Sequence, residues 1–225
     1  LGKIVKSKDH VILALGNNGA EAFDYVHGKY SKETNTALKR HGGGLSAVFI
    51  SGGGNDFAGF NDLRPLLNPD CSNAKSEGEC FKAGSDYKSI GWLMQKVNQN
   101  YTVLLSRIIA NTPPFTKIIM HTYDYAQPSG KGVFGSNWLK PALDAAKVPT
   151  VLHQKCMNLL IDTFKLELDN VKKVFPSRVA LVDTRGTLKD ADWANELHPN
   201  KSGFKKLANK WKPLLEDNNL SEKKK

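Results

Sequence analysis

An asparagine behind three glycines and a histidine followed by a proline are the residues of this chain best suited to chemistry. Ser51-Gly-Gly-Gly-Asn-Asp-Phe57 follows an apolar run, Leu45 to Ile50, and reads as a buried strand opening into a glycine turn. Glycines allow positive φ and let the backbone come close to a ligand, so Asn55 stands at a strand mouth with its amide free to donate to a developing oxyanion. In Trp193-Ala-Asn-Glu-Leu-His-Pro-Asn-Lys-Ser-Gly203, Pro199 fixes the backbone after His198, just before an amphipathic helix. An imidazole at such a place is suited to general-base work. Each has a plain alternative. Asn-Asp after glycine is common turn chemistry, and His198 is one of six histidines, a residue type that more often serves structure.

These residues need elements to position them, and the chain alternates strand and helix patterns. His10–Leu15, Ala47–Ser51, Lys117–Thr122 and Arg178–Val182 are short apolar runs of the kind that parallel sheets bury. Helical spacing predicts helices over 20–40, 87–110, 151–174 and 202–215. Strands alternating with helices imply an α/β fold with a parallel sheet and right-handed crossovers. Such sheets put their chemistry in loops at the C-terminal ends of the strands. Gly16-Asn-Asn-Gly19 closes the first run just before a helix, where the Gly19 N–H is well placed for an anion; Gly16 is its rival.

Together these stretches resemble the SGNH (GDSL) esterase and lipase family of bacterial type. Gly53-Gly54-Asn55-Asp56 matches its third block, and His198-Pro199 its fifth. The resemblance runs from about residue 9 to about 215 in the family's block order, and it implies a three-layer α/β/α sandwich around a flavodoxin-like parallel sheet. It also implies that Gly19 and Asn55 hold the oxyanion and that His198 is the base of a serine hydrolase acting on short acyl or acetyl esters. The first block, Gly-Asp-Ser with the nucleophile, is not in these 225 residues. The resemblance therefore implies a first strand upstream of Leu1, with Leu1–Ser7 as the tail of the helix after it, or a non-catalytic relative that keeps only the pocket. The fifth block is Asp-x-x-His, yet the residue three before His198 is Asn195. An amide can hold an imidazole but cannot stabilise imidazolium by charge. Asp192 and Glu196 are the carboxylates close enough in sequence to replace the missing acid. His121-Thr-Tyr-Asp-Tyr125 resembles a segment of some bacterial members, which makes Tyr123 and Tyr125 candidates for an acyl pocket, with Trp138 at its mouth. Packing is an equal role for such aromatic side chains. Ser51, on the strand side of its glycine turn, is a poor substitute nucleophile.

Composition sets the remaining bounds. The length suits one domain over 1–225, with residues 218–225 as a flexible lysine-rich tail. No apolar run approaches the roughly 20 residues needed to cross a bilayer, and residues 1–8 do not resemble a signal peptide. Starting at Leu1, the chain reads as a processed or truncated product, compatible with a secreted or periplasmic protein. The net charge of +10 is loaded on lysines near both ends without an arginine–aromatic platform, so nucleic acid is not an expected partner. The expected partner is a small-molecule ester. Of three cysteines, Cys71 and Cys80 could staple the polar loop between them in an oxidising compartment, and Cys156 reads as a buried small hydrophobe. Without Cys-x-x-Cys or a histidine cluster, no metal or cofactor is expected.

Overall fold

The computed structural model describes residues 11–132 and 138–217. Three of the four apolar runs are strands: β1 (Ala47–Ile50), β2 (Lys117–His121) and β3 (Val179–Val182). They pair in parallel in the order β1-β2-β3, with Val48 beside Ile118 and Ile118 beside Val179. Parallel neighbours need long crossovers, and helices provide them. The links are α4 (Ile90–Asn111) between β1 and β2, and α6 (Thr150–Val174) between β2 and β3. Ser89 caps α4 by accepting the Trp92 N–H at 3.1 Å. From there Leu93, Val97, Tyr101, Leu105 and Ile108 recur at helical spacing along its buried face. α6 packs against it through Met157, Leu160, Phe164 and Leu168.

The expected helix over 20–40 is two helices, α1 (Ala22–Val26) and α2 (Ser31–His41). They part at Gly28, where a Cβ would stand 2.7 Å from Asp24 Oδ1. Short α3 (Phe60–Leu63) and α5 (Lys140–Ala145) sit in the loops after β1 and β2. α7 (Lys201–Asp217) closes the described chain. The pleat divides the core. Ile118 and Met120 join the large cluster with α4 and α6, while Ile119 and Val182 pack with Trp211 and Leu215 of α7. No described helix is long and apolar enough to cross a membrane.

The run at His10–Leu15 departs from expectation. His10 lies outside the described residues, and 11–15 is irregular backbone with Val11 99% exposed. An apolar run becomes a strand only when a neighbour completes its ladder. The three described strands pair only with one another, and none of them pairs with this segment. Leu1–Ser7, expected as the tail of a helix, and the expected flexible tail over 218–225 also lie outside the described residues. Cys156 is the buried core residue expected, whereas Cys71 and Cys80 are buried free thiols rather than a disulfide. The Leu67–Phe81 bridge folds the polar loop inward, and there the Cys71 thiol donates to the Cys80 carbonyl at 3.4 Å and the Cys80 thiol to the Ser76 carbonyl at 3.6 Å. Burial raises the Cys71 pKa to about 11.

Candidate functional site

The glycine turn is built against aromatic rings. Gly53 has φ +89°, and a Cβ there would stand 2.7 Å from Phe164. A Cβ on Gly54 would stand 2.9 Å from the Tyr123 ring. Glycine is therefore required twice over, by conformation and by space. Tyr101 adds a hydrogen bond from its hydroxyl to the Gly52 carbonyl at 2.9 Å.

Beyond this turn Asn55 donates from Nδ2 to the Ala20 carbonyl at 3.0 Å. The adjacent Asp56 accepts the Ala22 N–H at 2.9 Å. These two bonds bring the Gly19 turn, where φ is +71°, beside the mouth of β1. Gly19 and Asn55 are both exposed. A primary amide has two donors, so Asn55 can hold Ala20 with one and still present the other. Asp56 Oδ1 is buried without a partner, and desolvation is the main cause raising its pKa to about 6.

His198 sits in the loop after β3, an exposed residue whose Nδ1 lies 3.0 Å from Asn195 Oδ1. That oxygen also accepts the N–H groups of Leu197 and His198. A carbonyl oxygen facing Nδ1 puts the ring proton there and leaves Nε2 as the basic nitrogen. Trp138 stands edge-on to the imidazole, with ring centroids 5.9 Å apart. Both acid candidates are committed elsewhere. Asp192 accepts from Lys206 Nζ at 2.6 Å and from the Lys189 N–H at 2.9 Å, and Lys206 is the leading cause holding its pKa down. Glu196 is fully buried and accepts four backbone N–H groups, from Gly130, Trp138, Leu139 and Lys140. Its carboxylate pins the loop after β2 to the loop that carries His198. The Gln127 N–H to Glu196 carbonyl and Glu196 N–H to Lys131 carbonyl bonds, each 2.9 Å, reinforce the join.

The other candidates divide. Tyr123 lies at the site, its ring 5.7 Å from Phe164 and 5.2 Å from His121, and desolvation raises its hydroxyl pKa to about 12. Tyr125 instead donates to Asp162 at 2.8 Å, within an ion-pair network with Arg185 and Asp183. Gly19 and Asn55 are thus brought together, and Trp138 joins His198 and Asn195. Among the described residues no hydrogen bond or ring contact links the two groups.

One pair escaped the sequence reading. Ser51 Oγ lies 2.8 Å from His121 Nε2, and His121 Nδ1 lies 2.5 Å from the Thr122 carbonyl oxygen. The signal was in the register. Ile50 pairs with Met120, so the next residues along β1 and β2 are Ser51 and His121. Among the described residues no group of three His, Cys, Asp or Glu side chains is placed to hold a metal. Comparison with family models, curated proteins and solved structures finds no match for this chain.

Proposed function

We propose that this chain carries the base and oxyanion donors of an SGNH-type serine hydrolase that cleaves carboxylic esters of short acyl or acetyl groups. In this reading the nucleophilic serine comes from a segment upstream of Leu1, and the whole is a three-layer α/β/α sandwich. The observation that carries it is His198, exposed at a strand-end loop, with Nδ1 held at 3.0 Å by Asn195 and Nε2 left as the base. Nε2 takes the serine proton as the serine oxygen bonds to the ester carbonyl carbon. The imidazolium then returns the proton to the departing alkoxide, and water, activated the same way, releases the acid. The Gly19 N–H, the second donor of Asn55 and the serine's own N–H hold the oxyanion, and no cofactor takes part.

A second reading, a non-catalytic module that keeps the pocket, is favoured by Asn195 standing where the acid belongs. Expression from the native start of the reading frame separates the two. Hydrolysis of a short p-nitrophenyl ester that is lost in His198→Ala supports the hydrolase. An extended protein that binds ester analogues without turnover supports the module. Undiminished turnover in His198→Ala overturns the assignment of the base.

A further inference from the structure

Ser51 and His121 form a second serine–histidine pair, and it lies wholly within this chain. Its three links are consecutive: the Ser51 hydroxyl to Nε2 at 2.8 Å, the ring, and Nδ1 to the Thr122 carbonyl oxygen at 2.5 Å. A carbonyl oxygen only accepts, so the ring proton belongs on Nδ1. Nε2 then holds the lone pair that receives the Ser51 proton. A nucleophile and base within hydrogen-bond reach, with the base oriented by a third group, is the arrangement that activates a hydroxyl.

The surroundings favour chemistry over a simple strand-to-strand tie. Ser51 is an exposed residue, and its imidazole is packed between rings, 5.2 Å from Tyr123 and 5.1 Å from Trp211. The residues that follow are glycines, so no side chain from positions 52 to 54 stands over the hydroxyl. Tyr123 closes over the turn, its ring 2.9 Å from where a Cβ on Gly54 would stand. We propose that Ser51 is an acylation site, with His121 as its base, that takes an acyl group from activated esters such as aryl acetates.

In the step the Ser51 oxygen bonds to the carbonyl carbon and its proton passes to His121 Nε2. The bond to the aryloxide breaks, and the aryloxide leaves with that proton. Acyl-Ser51 and a phenol are the products, and no oxidant or cofactor is consumed. Desolvation lowers the His121 pKa to about 4, which makes it a weak base. A good leaving group can depart with so little help, whereas water attack on the acyl-serine needs more. The acyl group therefore accumulates on Ser51.

The test is treatment of the 225-residue chain with p-nitrophenyl acetate, followed by peptide mapping before and after hydroxylamine, which strips acetyl from serine but not from lysine. A hydroxylamine-labile acetyl group on the Ser51 peptide is expected. It should be absent in Ser51→Ala and form at least ~10-fold more slowly in His121→Gln, the low end for loss of a general base being about 10². Circular dichroism checks the fold of both variants. Acetyl found only on lysines, or a Ser51 adduct that forms as fast in folded His121→Gln, overturns the proposal. His41→Gln, which changes an exposed histidine outside both sites, should label at the wild-type rate. The hydrolase reading needs the upstream serine, so labelling of the 225-residue chain fails or succeeds independently of it.

Discussion

Nδ1 of His198 and Oδ1 of Asn195 stand 3.0 Å apart, with the same oxygen accepting the backbone N–H groups of residues 197 and 198. The amide orients the ring as a triad acid would, but without its charge. In the upstream-extended protein Asn195→Asp should raise p-nitrophenyl ester hydrolysis by more than ~10-fold, since a neutral amide in place of the acid can cost about 10⁴. Asp192→Asn, which loosens Lys206 instead, should leave kcat near its starting value. A rate that falls in Asp192→Asn while Asn195→Asp does nothing would reassign the acid.

Glu196→Gln tests the buried carboxylate. The variant keeps the volume but turns an acceptor oxygen into an NH₂ facing backbone N–H groups. A loss of about 2–4 kcal/mol is expected in urea unfolding, in the range for breaking a buried charged network. Faster amide exchange at Trp138, Leu139 and Lys140 should accompany it.

Gly53→Ala should destabilise the chain by roughly 2 kcal/mol or more. It pairs a strained φ with a contact that neither the Phe164 ring nor the backbone can easily yield. Ala at the open Gly43 is the control, measured by the same unfolding curves.

Asp56 makes stability depend on pH with an unusual sign for a carboxyl group. Its folded pKa is about 6 against 3.8 for an ordinary aspartate, so between these values the folded state holds the proton more tightly. Its contribution to stability is present below about 4 and is lost as pH rises through 6, an effect of at most ~3 kcal/mol. His121, lowered from 6.5 to about 4, works oppositely and costs stability as pH falls through that window. Asp56→Asn should raise Tm at pH 8 and leave it nearly unchanged at pH 4. An equal shift at both pH values would mean the carboxylate is not desolvated.

The strands at β1, β2 and β3 and the long helices α4, α6 and α7 were legible because each carries an uninterrupted pattern that its neighbours satisfy. The run at 11–15 has the same composition, yet composition does not say whether a ladder partner is present. Asn55 and His198 were readable as strand-end residues. The roles of Glu196 and Asp192 were not, because a carboxylate's allegiance depends on which N–H or ammonium group the fold brings to it. Ser51 was passed over for a similar reason. A serine at a strand end is common, and only pairing in register sets a particular histidine opposite it.

The edge position of β1 has a consequence for handling the protein. Its four residues, Ala-Val-Phe-Ile, contain no lysine, proline or inward charge, the usual guards against unwanted pairing. Among the described residues nothing pairs with its outer side, and the exposed Val11, Ile12 and Leu13 are themselves a loose apolar segment. In concentrated solution the 225-residue chain has both halves of an intermolecular ladder, an acceptor edge and a strand-like donor. Self-association through this edge is therefore expected to rise with concentration, and a lysine at Ile12 should suppress it, as read by light scattering.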